Sequence, residues 1–89
     1  MFKVKASDGT NNLCGQNVRK IRKSKKLSQE ELGHMLQLAG YDMDSFAILR
    51  IENGKRFVTD IEMKALCDVL DISIFELLPE LKVHEKKTN

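Results

Sequence analysis

Apolar residues recur at helical spacing in the middle of the chain. Leu32, Met35, Leu36 and Ala39 follow the i, i+3, i+4, i+7 pattern of a helix with one buried face. The preceding Ser28-Gln29-Glu30-Glu31 is a capping box, because the Ser28 hydroxyl can accept from the Glu31 amide while the Glu31 carboxylate reaches the Ser28 amide. Gly40 is a natural stop. The pattern predicts a helix over residues 29–39.

The same combination of cap and apolar stripe occurs twice more downstream. Thr59 and Glu62 form a second capping box, and Ser73 with Glu76 forms a third, which Pro79 closes. The stripe that follows the second box consists of Met63, Leu66, Cys67 and Leu70. These patterns predict helices over residues 60–70 and 74–78.

Two further helices are predicted from other end signals. Asp44 is a good N-cap for an apolar segment that ends at Asn53-Gly54, where a positive φ is easily adopted, and this predicts a helix over 45–52. A weaker stripe predicts a first helix over 13–25. Its apolar residues are Leu13, Val18 and Ile21, and its candidate caps are Asn11 and Asn12.

Five helices with short connections and no convincing strand predict an all-α, compact domain. The domain is expected to span residues 12–79. The segment 1–11 is expected to be flexible, and 80–89 to be a polar C-terminal tail. No stretch approaches the roughly 18 apolar residues that span a bilayer, and the N-terminus lacks the apolar core of a signal peptide. These features predict a cytoplasmic protein with no membrane partner.

The overall composition says little about a binding partner, but the distribution of charge along the chain says more. The 89 residues carry 15 Lys and Arg against 13 Asp and Glu, a net charge of +2. Residues 1–26 hold eight basic residues and one acid, which is +7, and the remainder holds seven basic against twelve acidic, which is −5. So uneven a division suggests one positive face, although a Lys-rich helix is often only a solvated surface.

No residue pattern supports catalysis or metal binding. Cys14 and Cys67 lie far apart without a metal-ligand spacing, and both are interpreted as small buried hydrophobes. His34 and His84 are isolated, and no Gly-rich phosphate loop or nucleophile motif occurs. We therefore expect no enzyme activity, no cofactor, no metal and no small-molecule ligand.

Two strings of residues carry a resemblance to a known family. LSQEEL at residues 27–32 and IENGKR at 51–56, in this order, resemble the Cro/C1-type helix-turn-helix family of bacterial and phage DNA-binding regulators, also called the Xre family. The resemblance covers about Val18 to Leu78. It implies a compact five-helix, lambda-repressor-like DNA-binding domain, in which helix 29–39 lies across the DNA backbone and helix 45–52 enters the major groove.

The resemblance also implies two groups of DNA contacts. Phosphates would be bound by Gln29 at a helix start and by three residues after the recognition helix, namely Asn53, Lys55 and Arg56. Bases would be read by exposed positions of helix 45–52, namely Ser45, Phe46, Leu49 and Arg50. Arg50 can pair with a guanine, and Phe46 or Leu49 can lie against a thymine methyl.

This sequence departs from the family pattern in three places. Phe46 and Leu49 occupy positions that are usually polar, so they are interpreted as methyl readers, as a contact for a protein partner, or as two extra core residues. The segment 37–43 is longer than in the tightest members, which extends helix 29–39 or lengthens the connection. Gly33 replaces the usual Ala at a crowded position, at a cost of about 1 kcal/mol in helix propensity.

Arg22 and Glu52 are expected to have a structural role. In the family, the matching residues form an ion pair between the first helix and the end of the recognition helix, largely shielded from water. Loss of one partner strands a buried charge and can cost about 3–5 kcal/mol.

The function expected from the resemblance is sequence-specific binding of double-stranded DNA by a transcriptional regulator, acting as a repressor. Specificity would come from a homodimer on a pseudo-palindromic site with half-sites about 34 Å apart. The dimer contact is assigned to the tail or to Leu77, Leu78 and Leu81. Two alternatives keep the fold: a protein-interaction module that binds through Phe46 and Leu49, and an antitoxin-type subunit of a two-protein operon.

Overall fold

The computed structural model describes residues 5–84, and this part of the chain is all-helical. The helices are α1 (Gly15–Ser24), α2 (Gln29–Leu38), α3 (Ser45–Glu52), α4 (Asp60–Leu70) and α5 (Ile74–Leu77), followed by a 3-10 helix (Pro79–His84). No strand occurs in this range. The prediction of an all-α, five-helix domain is confirmed.

All three predicted capping boxes are present. At the start of α2, the Glu31 amide donates to Ser28 Oγ at 2.9 Å and the Ser28 amide donates to Glu31 Oε1 at 2.7 Å. Thr59 and Glu62 make the same pair of bonds at the start of α4, and Ser73 and Glu76 make them at the start of α5. Each box satisfies two backbone groups at a helix end, which fixes where the helix begins.

The start and end of α3 are those predicted. The side chain of Asp44 accepts a hydrogen bond from the Ala47 amide at 3.0 Å, so the helix begins at Ser45. After Glu52 the chain turns at Gly54, whose φ is +76°. These local signals define the helix that the family resemblance assigns to the major groove.

The start of α1 differs from the prediction. The helix begins at Gly15 rather than at residue 13, and Leu13 is 56% exposed instead of belonging to the buried stripe. Asn12 does cap this end, since its Oδ1 accepts from the Gly15 amide at 2.8 Å. A Cβ atom at Gly15 would overlap the carbonyl oxygen of Ile51, so only glycine permits this close approach of α1 to the end of α3.

The core lies where α1, α2, α3 and α4 meet, with α5 closing it against α1 and α4. Its largest fully buried side chains are Cys14, Val18, Leu32, Leu36, Ile48, Ile51, Leu66, Leu70 and Leu77. Burial raises the pKa of Cys14 to about 11, so this thiol is neutral at ordinary pH and packs as a small hydrophobe. Cys67 is only half-buried.

The longer segment between α2 and α3 lengthens the connection and not α2. The helix ends at Leu38, and Gly40 follows with φ +95°. Tyr41 then donates its hydroxyl to Asp68 on α4 at 3.1 Å, and Met43 is buried in the core. Asp68 also accepts from Lys64 at 2.7 Å, and these bonds lower the pKa of its carboxyl. The added residues therefore attach the connection to α4.

The C-terminal part of the domain requires two corrections. The prediction that Leu77 supplies a dimer contact is wrong, because this side chain is fully buried in the core. The fifth helix ends one residue earlier than predicted, and the first residues of the expected polar tail form the 3-10 helix Pro79–His84. The rest of the tail, residues 85–89, lies outside the described residues, as do residues 1–4 of the N-terminal segment.

Candidate nucleic-acid interface

The crossing of α2 and α3 sets the position of the exposed helix. Gly33 of α2 lies directly against the chain that enters α3, where a Cβ atom would stand 3.0 Å from the Ser45 nitrogen and 3.1 Å from the Asp44 carbonyl carbon. A contact this close leaves little room for a side chain, which is the crowding that the family resemblance implied. Because backbone touches backbone here, the angle between the two helices is closely defined.

A buried ion pair attaches α1 to the end of α3, between the two residues that the family resemblance implied. Arg22 Nε donates to Glu52 Oε2 at 2.7 Å, and its Nη2 donates to Oε1 at 3.0 Å. Arg22 Nη1 also donates to the Leu27 carbonyl at 2.8 Å. The hydrogen bond from Arg22 to Glu52 raises the pKa of the arginine, so its guanidinium stays charged. The bidentate contact fixes the end of α3, and the bond to the Leu27 carbonyl fixes the entry to α2.

The outward face of α3 presents an apolar pair beside a guanidinium. Phe46 is 72% exposed and Leu49 is 38% exposed, so the interpretation of both as extra core residues is wrong. Arg50 is exposed on the same side of the helix, and Ser45 is half-buried at its start. Within residues 5–84, no carboxylate forms a salt bridge with Arg50. Its donors are therefore available to a ligand.

Gln29 is held in place at the first turn of α2. Its Nε2 donates to Glu52 Oε1 at 3.1 Å, so the same carboxylate contacts residues of α1 and α2. One hydrogen bond leaves the amide with a second donor hydrogen and with its oxygen acceptor. The backbone amides of Gln29 and Glu30, which the capping box does not use, lie at the positive end of the helix dipole. An anion can therefore be bound here by a pre-positioned side chain and by the backbone.

The three residues after α3 differ in their surroundings. Asn53 and Lys55 are exposed, whereas Arg56 donates from Nη2 to Glu62 Oε2 at 2.6 Å and is only partly accessible. Arg56 Nε is buried and has no hydrogen-bond partner among the described residues. Any phosphate that contacts Arg56 must therefore share this guanidinium with Glu62.

Sequence reasoning missed the polar residues that support the end of α3. Asn12 donates from Nδ2 to the carbonyls of Ile51 and Arg56, at 3.1 and 2.9 Å. Asn11 donates its backbone amide to the Gly54 carbonyl at 2.7 Å and its side-chain amide to the Lys55 carbonyl at 2.9 Å. The only local signal was the Asn11-Asn12 pair, which predicted a cap for α1 and not a contact 40 residues downstream.

The described residues meet the requirements neither of a metal site nor of a membrane-spanning helix. No group of three His, Cys, Asp or Glu side chains among them is arranged to hold a metal ion. The helices of this range are also too short or too polar for any of them to cross a bilayer. On α1, the basic residues Arg19, Lys20 and Lys23 are exposed and form no salt bridge within the described residues.

A capped helix followed by a connection and a second helix with an exposed face, both packed on a small helical core, define a helix-turn-helix protein. Comparisons with known proteins agree. The family model described as Helix-turn-helix matches residues 18–77. The chain therefore belongs to the helix-turn-helix family of the Cro/C1 type, and it is a DNA-binding transcriptional regulator.

One solved structure gives a close match. The restriction-modification controller protein C.AhdI from Aeromonas hydrophila is 33% identical to this chain, with a TM-score of 0.64. The match covers 72% of this chain and 89% of that one. Comparison with curated proteins gives no significant match.

Proposed function

We propose that this regulator binds a specific double-stranded DNA sequence by placing α3 in the major groove. The observation that carries the proposal is the outward face of α3, where Arg50 has no acidic partner within the described residues and lies beside exposed Phe46 and Leu49. A major groove about 12 Å wide admits one helix, and a guanidinium there pairs with a guanine through two hydrogen bonds. Ser45, at the start of the helix, can bond to either strand.

Phosphate contacts would orient the helix without reading sequence. Gln29 binds one phosphate through its free donor and through the helix start, while Asn53 and Lys55 bind a second. Arg56 contributes less than Lys55, because Glu62 already neutralises part of its charge. The protein is proposed to act in the cytoplasm, where DNA is accessible to it.

A homodimer would supply the specificity that one small domain lacks. Two copies on a pseudo-palindrome would present their α3 helices about 34 Å apart, one turn of DNA. Among the described residues, exposed apolar side chains near the C-terminus support this proposal; they are Ile74, Phe75 and Leu81. Light scattering should report a dimer that Phe75→Glu with Leu81→Glu converts to a monomer, whereas the control Leu38→Glu leaves it dimeric. A monomer in the unmodified protein would contradict the proposal.

The genes regulated are proposed to be those of a restriction-modification system, with this protein acting as a repressor. The 33% sequence identity to a restriction-modification controller, over most of that chain, favours this setting over an antitoxin-type subunit. A reporter fused to the region upstream of the protein's own gene should lose activity when the protein is supplied. Unchanged activity would contradict repression, and increased activity would identify an activator.

The proposal of sequence-specific DNA binding is tested by titrating a labelled duplex with the protein. Fluorescence anisotropy at about 150 mM salt should show much tighter binding to the upstream region than to a random duplex. The double variant Arg50→Ala with Gln29→Ala should abolish that binding, while the control Lys64→Ala, an exposed lysine on α4, should not. If the double variant loses DNA but still captures a protein partner through Phe46, the protein-interaction alternative gains support.

A further inference from the structure

The apolar pair on α3 is unusual because it lies on the face that is proposed to read bases. Phe46, Leu49 and Arg50 stand at i, i+3 and i+4, so the three side chains share one side of the helix. Ala47, Ile48 and Ile51 already fill the core-facing side. Phe46 and Leu49 lie outside the core cluster, and their exposed apolar surface is left for a ligand.

The groups around Phe46 and Leu49 are suited to bind the phosphates of DNA. Arg50 is adjacent, and Lys55 follows the end of the same helix; neither forms a salt bridge with a described carboxylate. Gln29 and the amides of the α2 start lie at the neighbouring helix end, where an anion is favoured. An apolar patch bordered by cationic and anion-binding groups is complementary to a groove that carries methyl groups between two phosphate backbones.

The chemistry of the pair limits what it can recognise. A phenyl and an isobutyl group have no hydrogen-bond donor or acceptor, so they cannot distinguish the polar edges of the bases. In the major groove they can detect only the methyl group at C5 of a pyrimidine, which thymine has and cytosine lacks. Cytosine methylated at C5 carries the same methyl at the same place.

We infer that Phe46 and Leu49 form a reader of pyrimidine C5-methyl groups, for which 5-methylcytosine can replace thymine. Where a site has a cytosine at a position that faces this pair, methylation of that cytosine would strengthen binding, so the affinity of the regulator for such a site responds to cytosine methylation. The inference rests on the proposed insertion of α3 into the major groove. Burial of one methyl group is expected to strengthen binding about three- to fivefold.

The test begins with duplexes that the protein itself selects from a random pool. Each thymine of the preferred site is replaced singly by deoxyuridine, which keeps the base pair and removes only the methyl. Anisotropy titrations should show a loss of about three- to fivefold at one or two positions per half-site. At the same positions, cytosine should bind as weakly as deoxyuridine or weaker, and 5-methylcytosine should recover a similar factor over cytosine.

Protein variants connect the effect to the two side chains. Phe46→Ala and Leu49→Ala should bind more weakly and should no longer distinguish thymine from deoxyuridine. Arg50→Ala should bind more weakly but keep that distinction. Leu38→Ala is the matched control, since Leu38 is 75% exposed at the far end of α2 and its truncation should change neither property. All four positions are exposed, so the variants are expected to fold, which circular dichroism verifies.

The outcomes separate this inference from the proposed function. If no selected duplex binds more tightly than random DNA, sequence-specific binding itself fails. If selected duplexes bind tightly and deoxyuridine has no effect at any position, methyl recognition is overturned while the proposed function stands. A deoxyuridine effect that persists in Phe46→Ala and in Leu49→Ala overturns it as well, because the methyl is then read by other groups.

Discussion

The two faces of α3 differ in almost every physical property although they belong to one eight-residue helix. The inward face is buried and holds Ala47, Ile48, Ile51 and Glu52, whereas the outward face is accessible and holds Phe46, Leu49 and Arg50. The inward residues fix the position of the helix on the core, and the outward residues are available to contact a ligand. Substitutions on the two faces should therefore separate stability from DNA affinity.

The largest effect is expected from Glu52→Ala on the inward face. The change leaves the buried Arg22 guanidinium without its carboxylate and removes the acceptor of Gln29. The free energy of unfolding should fall by about 3–5 kcal/mol, measured by urea denaturation. In the double variant Arg22→Ala with Glu52→Ala, the loss should be smaller than the sum of the two single losses. Additive losses would show that the pair contributes nothing as a pair.

Neighbouring residues on opposite faces give the sharpest comparison. Ile48→Ala removes a fully buried side chain and should lower the free energy of unfolding by about 2–5 kcal/mol. Leu49→Ala should cost less than about 1 kcal/mol, because that side chain is 38% exposed. Thermal and urea unfolding of the two variants provide the measurement. Equal losses would mean that Leu49 is packed as tightly as Ile48.

Arg50→Ala should weaken DNA binding without lowering stability, whereas Ile48→Ala is expected to lower stability. Loss of a bidentate contact to guanine should weaken specific binding by about 1–3 kcal/mol and relax the preference at one base pair. The unfolding midpoint should stay unchanged, because Arg50 forms no salt bridge within the described residues. Anisotropy titrations against duplexes that vary at each position test this. A uniform weakening for all duplexes would assign Arg50 to a phosphate instead.

The smallest effect is expected from Lys55→Ala, just beyond α3. An exposed lysine on a phosphate should contribute equally to all sequences, so its loss lowers the dependence of log affinity on log salt by about one unit. Titrations at several salt concentrations measure the slope. Arg56→Ala should change the slope less, since Arg56 is already paired with Glu62. A larger change for Arg56 would show that its ion pair opens on DNA.

The sequence predicted those features that depend on nearby residues. Ser28, Thr59 and Ser73 each have a Glu three residues later, so the beginnings of α2, α4 and α5 could be located from local hydrogen-bond chemistry. Asp44 and Gly54 defined α3 for the same reason. The Arg22–Glu52 pair was found only because the resemblance implied it.

Features that depend on how the elements pack were missed. The bond of Gln29 to Glu52 joins residues 23 positions apart on two helices, which no local pattern reveals. Arg56 and Glu62 are only six residues apart, but their ion pair depends on the course of the connection between α3 and α4. The exposure of Phe46 had the same origin, because α3 is apolar on both faces and its orientation is set by the core. Leu77 was misjudged because a short terminal helix gives too little periodicity to identify its buried side.

The hydrogen bonds from Asn12 to the carbonyls of Ile51 and Arg56 span 39 and 44 residues of chain. They close a loop that contains α1, α2 and α3, and closing a loop of that size costs conformational entropy before any bond forms. Asn12 therefore makes both bonds only when α1, α2 and α3 are all in place. During synthesis, the support that Asn12 gives to the end of α3 can therefore form only after Arg56 has been added to the chain.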